Sequence, residues 1–208
     1  PYNNKNVKYN LVIICAGSNS GLVKSIFKNK VIHNSYKELS ITTVLKHNSI
    51  NNNIARQIFL NNGILALLPI SNNNTSIVLS IKKNKKINDA YVKKIITLYS
   101  KNYLSNIKFN NKIEYKDLNF LIRKKYYKDR ILLFGDALHV IHPFVGQGFN
   151  MTIRDLVVLK KILKKKMDLG LDIGSSDILS EFSNESRPRN FAFSLSVDIL
   201  KNYFSIEN

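Results

Sequence analysis

Gly135-Asp136, followed in the same loop by Gly146-Gln147-Gly148, is the grouping whose residue types and spacing point most directly to chemistry. Asp136 offers a short carboxylate that can accept hydrogen bonds from several hydroxyls, as on a sugar or ribitol chain. The glycines either side of Gln147 allow left-handed backbone angles, so the chain can lie against a ligand with no side chain between them. Where such a loop opens a helix, unpaired peptide N–H groups and the helix dipole favour negative charge. A ligand with a polyol arm and an electron-rich, anion-forming ring suits both ends.

The elements that must position these residues are legible around them. Ile131 to Phe134 form a short apolar run ending in Gly135-Asp136, the pattern of a buried parallel strand entering a tight loop. From Gly148 the period changes, and Phe149, Ile153, Leu156, Leu159 and Leu163 recur at three- and four-residue steps. That spacing predicts an amphipathic helix with these residues on its apolar face. The unit is strand, loop, helix.

Gly135-Asp136-Ala137-Leu138-His139, then His142-Pro143, Gly146-Gln147-Gly148-Phe149-Asn150 and Arg154-Asp155 form a long, ordered pattern. It resembles the second FAD-binding motif of the flavin-dependent aromatic monooxygenases, and within them the ubiquinone-biosynthesis hydroxylases. The resemblance implies FAD as cofactor, NAD(P)H as reductant, and hydroxylation of an electron-rich phenol ring on a polyprenylated ubiquinone precursor. Gly135 and Asp136 then belong to the cofactor-binding set, with Asp136 expected to hold the ribitol and the peptide N–H groups around Gly146, Gln147 and Gly148 to stabilise negative charge on the ring's pyrimidine edge. Pro143 would face the reactive side of the ring, and Asn150 would fix the loop to the helix. Thr152 stands where the family has Gly, its extra atoms either crowding the flavin or packing. No catalytic side chain is assigned.

The same resemblance extends to other segments. Tyr9 to Ala16 reads as a strand, residues 17–21 as a small-residue turn and Leu22 to Phe27 as a short helix. This is similar to the family's DG segment, which lies near the flavin and the route of the reduced nicotinamide, with Ala16 in place of its Asp and Lys24 where Arg often stands. Tyr36 to Lys46 is rich in β-branched residues, and Ile64 to Ile70 and Thr75 to Ile81 flank Ser71-Asn72-Asn73-Asn74 as a hairpin. Arg56 to Phe59 and the Ala66-Leu67-Leu68-Pro69 run resemble the family's substrate-domain sheet. A helix is predicted over Ile87–Ile107, a loop over Leu169–Gly174, and a helical tail over Ile178–Asn208. Arg187-Pro188-Arg189-Asn190 and Leu200 to Phe204 in that tail resemble the family's carboxyl-terminal helix, with Phe182 replacing a Tyr. The expected fold is α/β with α+β character: a partial Rossmann-like FAD-binding domain (1–30 and 119–208, with the helical tail) carrying an inserted antiparallel substrate-domain sheet (31–118).

The first FAD motif, GxGxxG after a strand, is nowhere in these residues. The chain is therefore expected to correspond to the carboxyl-terminal portion of the family, as a fragment, a split-gene product or a decayed copy. A remnant that binds no FAD alone and a basic module for nucleic acid or a membrane surface remain as alternatives.

Composition bounds the rest. Hydrophobic residues at 44% suit a globular chain. The formal charge of +18 accompanies enrichment in Lys, Asn, Ile, Tyr and Phe with no Trp, a background expected of an AT-rich genome, so nucleic acid is not an expected partner. The single Cys15 excludes an intrachain disulfide and fits a reducing compartment. No apolar run is long enough to span a bilayer. The resemblance implies a cytoplasmic placement with peripheral contact at the inner membrane, and association with a ubiquinone-biosynthesis complex. His139 and His142 lack a carboxylate or thiol cluster to complete a metal site, and Ser18 and Ser20 lack a matched His and acid. Asp155 reads as a first-turn acid that complements the helix dipole.

Overall fold

The computed structural model describes residues 8–28, 31–84, 86–110, 112–143 and 146–206. The chain divides into two compact units, one formed by Pro1–Asn34 with Phe120–Ile199 and the other by Ser35–Asn119 with Leu200–Asn208.

The first unit opens with strand β1 (Val12–Ile14) and helix α1 (Gly21–Phe27). The strand expected over Tyr9 to Ala16 is shorter because only these three residues find partners in the sheet. Ser20 caps α1 through Val23 N, and Val23 and Phe27 turn inward. Strand β2 (Val31–Lys46) then carries the chain into the second unit.

There an antiparallel sheet forms from β2, β3 (Arg56–Leu60), β4 (Gly63–Ser71) and β5 (Asn74–Lys82), roofed on one face by helix α2 (Asp89–Ser100). The hairpin expected between β4 and β5 is present, with Leu65 opposite Leu79 and Leu67 opposite Ile77. Alternation places Ile41, Leu45, Leu65, Leu67, Ile77 and Leu79 in one core with Val92 and Ile96 of α2. Each such side chain contributes roughly 1.5–3 kcal/mol on burial. Gly63 is required at its position, because a Cβ there would stand 2.0 Å from the Ser80 carbonyl oxygen. The helix predicted over Ile87–Ile107 is shorter at both ends. Asn88 caps it by accepting from Tyr91 N at 2.9 Å, and a tight turn on the Ser100 carbonyl closes it while burying Leu104. Strand β6 (Lys108–Phe109) pairs with β2, and β7 (Glu114–Arg123) lies beside β2, giving the order β7-β2-β5-β4-β3.

The end of β7 re-enters the first unit. Strand β8 (Tyr127–Lys128) pairs antiparallel with β9 (Ile131–Leu133), and β9 pairs parallel with β1, Val12 opposite Ile131. A 3-10 turn at Gly135–Ala137 leads to β10 (His139–Val140), which pairs with Leu121 and Ile122 of β7. Two long helices follow, α3 (Gln147–Asp168) and α4 (Ser176–Ile206). Phe182 of α4 is fully buried, its ring centroid 6.3 Å from Tyr126 and 6.2 Å from Phe134, among Leu132, Leu133, Leu159 and Ile162. Lys166 pairs with Glu181 at 2.9 Å, and Arg130 beside β9 pairs with Asp172 in the loop joining the two helices. The side chains of Leu200 to Phe204 lie outside the described residues. Among the described residues no helix is long and apolar enough to cross a membrane.

The face of α3 is the expected one only in its second half, where Leu159 is buried and Leu163 packs against the core. In the first half Met151 and Asp155 point inward, as does Ile162 further on, whereas Phe149, Ile153 and Leu156 are exposed, Phe149 to 72%. A buried acid turns the helix, for a reason that the site makes plain.

Candidate cofactor site

Because β1 and β9 run parallel, the loops that follow them leave the same edge of the sheet, where open α/β sheets bind ligands. One side chain joins the two loops. Arg123, at the end of β7 and 2% exposed, donates from Nε to the Ala137 carbonyl at 2.6 Å and from Nη2 to the Ser18 carbonyl at 3.4 Å. Burial lowers its pKa, and no carboxylate among the described residues pairs with it. Sequence reasoning missed this residue because it precedes Lys124-Lys125 and reads as part of a charged surface run.

The loop after β9 begins at Gly135, whose φ of +60° disfavours any residue with a Cβ. This places Asp136 at the carboxyl end of the strand, exposed and with no side-chain partner among the described residues. Thr152 of α3 sits over the turn, its Cγ2 3.7 Å from where a Cβ on Gly135 would stand and its hydroxyl donating to the Gly148 carbonyl at 3.4 Å. Further on, the Pro143 carbonyl accepts from Gly146 N at 3.2 Å, and Gly146 takes φ +66° as the residue preceding α3. A Cβ built on Gly146 meets nothing within 4 Å, so the space beside this peptide is open. Gly148 is different. It lies in the first turn of α3 without a positive φ, and a Cβ there would make ordinary contact with Ile141 at 3.8 Å. The left-handed angle expected across the Gly-Gln-Gly run is thus confined to Gly146. Asn150 is exposed, and its Nδ2 reaches Gln147 Oε1 at 3.4 Å, a contact within the helix; among the described residues it makes none back to the loop.

A buried polar cluster fixes this loop to both helices. His139 Nε2 lies 2.9 Å from Asp155 Oδ2, and Asn190 Nδ2 of α4 donates to the same carboxylate at 2.9 and 3.1 Å. All three side chains are almost fully buried. The Tyr126 hydroxyl lies 3.4 Å from Asn190 Nδ2, and burial, with a smaller contribution from the Asp155 charge, pushes the phenol up to about 12 against the lowering effect of that Asn190 contact. Asp155 is therefore not the first-turn acid expected of it, since α3 has none in its first turn. It turns inward because two donors await it there. His139 and Asp155 both lie in the motif quoted above, but nothing in the sequence signals that Asn190, 35 residues beyond Asp155, completes the cluster.

Of the residues expected to touch a cofactor, Gly135 and Asp136 thus lie at the carboxyl end of β9, and Pro143, Gly146, Gln147 and Gly148 around the amino terminus of α3. Ala16 and Lys24, in the segment after β1, are both exposed. The open peptide at Gly146, the Asp136 carboxylate with no side-chain partner among the described residues, and the N–H groups that the first turn of a helix leaves without intrahelical partners fit a ligand with hydroxyls at one end and an anionic ring edge at the other.

Known proteins similar to this chain identify its family. The chain is 28% identical over 185 residues to the mitochondrial ubiquinone biosynthesis monooxygenase COQ6 of Dictyostelium discoideum, a match covering 72% of the chain and 37% of that protein. It is 28% identical over 182 residues to the ubiquinone hydroxylase UbiL of Rhodospirillum rubrum, covering 82% of the chain and 41% of the relative. The chain thus spans about two-fifths of the length of these two relatives. Among solved structures, pqsL, a probable FAD-dependent monooxygenase from Pseudomonas aeruginosa, superposes with a TM-score of 0.73 at 16% identity over 94% of this chain and 56% of that one. The flavin-dependent halogenase CmlS gives 0.69 at 15% identity over 86% and 34%. At such identities the two structures show a shared fold. The family model described as squalene epoxidase matches residues 8–204, nearly the whole sequence, and the chain belongs to that family.

Proposed function

We propose that this chain provides the ribitol and pyrimidine-edge seat for FAD in a monooxygenase that hydroxylates the aromatic ring of a polyprenylated ubiquinone precursor, with NAD(P)H as reductant. The observation that carries the reading is the order of parts along one loop: strand β9, an exposed Asp136, a left-handed Gly146, and the amino terminus of α3. The ubiquinone-hydroxylase names of the relatives support the substrate class.

When bound, the flavin supplies the oxygen chemistry, and the protein supplies position and electrostatics. Asp136 accepts hydrogen bonds from the ribitol hydroxyls. The N–H groups of α3's first turn stabilise negative charge at the pyrimidine edge. Pro143 shields the ring beside them, Arg123 keeps the two loops in register, and the His139–Asp155–Asn190 cluster holds the loop against both helices. The adenine dinucleotide is held by a GxGxxG segment that these residues do not contain. Contact with the inner membrane and with other ubiquinone-biosynthesis proteins belongs to the same proposal.

The test is to express the chain together with a polypeptide supplying the GxGxxG segment of a relative and to analyse polyprenyl phenols by mass spectrometry after NAD(P)H is added. A product with one added oxygen, formed only when both polypeptides are present, is the expected result. Flavin binding without hydroxylation of any polyprenyl phenol would overturn the substrate class. Absence of flavin under all conditions would favour the reading of a non-catalytic remnant, to which Ala16 in place of an acid also points.

A further inference from the structure

Within the first unit a cavity of about 430 Å³ opens between the start of β2, the end of β7 and the middle of α4. Its inner wall is made by the buried Ile122 and Arg123, and its mouth by the exposed Ile32, Lys124, Arg187 and Phe191. Among the described residues three cations line it and no acid does. Its volume falls within the range of sites that enclose small organic ligands.

Arg123 is the feature that needs explaining. Its guanidinium has five N–H donors, two main-chain carbonyls as partners, and no carboxylate among the described residues to balance its charge. Burying an unbalanced cation is costly, and the lowering of its pKa by burial reports the same cost. Two carbonyl dipoles offset part of that cost, and an anion offered from the cavity side offsets more, since hydrogen bonds from a guanidinium to a carboxylate are charge-assisted and often bidentate. The other walls are apolar, so the group that carries the anion is apolar too.

We propose that this cavity binds a small amphiphilic carboxylate, with Arg123 as its buried counter-charge, Arg187 and Lys124 guiding it at the mouth, and Ile32, Ile122 and Phe191 holding its apolar body. The site needs no flavin and goes beyond the function proposed above.

Isothermal titration of the full chain with 4-butylbenzoate and with its uncharged isostere 4-butylbenzamide tests it. The benzoate should bind roughly tenfold or more tightly than the benzamide, as expected of a charge-assisted contact. Arg123→Met should abolish that preference, Arg123→Lys should keep part of it, and Arg187→Gln at the exposed mouth should weaken the benzoate severalfold and leave the benzamide unchanged. If Arg123→Met does not fold, Phe191→Glu takes its place: a carboxylate at the mouth should exclude the benzoate and spare the benzamide. Equal affinity for the two probes, no binding of either, or benzoate binding indifferent to both Arg187→Gln and Phe191→Glu would overturn the proposal.

Discussion

Replacing Asp155 by alanine removes the acceptor at the centre of a buried cluster, and the consequence can be worked from its partners. His139 Nε2 at 2.9 Å and Asn190 Nδ2 at 2.9 and 3.1 Å both end on this carboxylate, and neither donor has access to bulk water. A buried donor left unsatisfied costs about 1–3 kcal/mol, and this substitution strands the donors of both His139 and Asn190. Asp155→Ala should therefore lose about 2–5 kcal/mol of unfolding free energy, a large share of the ~5–15 kcal/mol typical of a protein. Asp155→Asn keeps the shape and one acceptor and should lose about 1–3 kcal/mol. Urea unfolding followed by circular dichroism and tyrosine fluorescence measures both, the chain having no tryptophan. His139→Ala in the Asp155→Ala background should cost less than His139→Ala alone, with a coupling above about 0.5 kcal/mol, because the two residues share one interaction. A loss below about 1 kcal/mol for Asp155→Ala, or strict additivity of the pair, would refute the claim that this cluster binds the loop to the helices.

Three further outcomes follow from the geometry. The Arg130 guanidinium beside Asp172, aided by the Gly174 N–H, holds that carboxyl at about 2, below its ordinary 3.8. A depressed carboxyl lends stability above its ordinary value and loses it as pH falls through about 2, so carboxyl NMR should find Asp172 titrating there, and Arg130→Met should return it toward the ordinary range. Gly63→Ala sets a Cβ 2.0 Å from the Ser80 carbonyl and should break the β4–β5 register; a variant with native amide exchange in both strands would contradict this. Tyr126, pushed up to about 12 by burial, and Tyr115, pushed up to about 12 by partial burial and by its bond to Asp89, should each ionise near that value in an ultraviolet titration, and Asp89→Asn should lower only Tyr115.

The sequence reveals what depends on near neighbours. The switch from an apolar run to a helical period locates β9 and α3, and alternation around Ser71 to Asn74 locates the hairpin, because period and turn chemistry act over a few residues. The face of α3 is hidden for the opposite reason. Phe149, Ile153 and Leu156 carry the apolar pattern, yet the helix is turned by Asp155, whose partners are 16 residues before it and 35 after. Arg123 escapes notice in the same way: a basic residue beside two lysines looks solvated until the loops after β1 and β9 fold around it. Gly146 and Gly148 look equivalent in sequence, but only Gly146 takes the left-handed angle, because Gly148 already belongs to the helix.

The central claim is that the peptide at Gly146, open to its surroundings and set before α3, is where the flavin ring rests. The most direct measurement is a flavin titration of the chain, combined with a GxGxxG polypeptide, for native protein and Gly146→Val, with amide exchange confirming that α3 is intact in both. The native complex should retain flavin through gel filtration and the variant should bind it at least about tenfold more weakly. Equal affinity in the two would contradict the account.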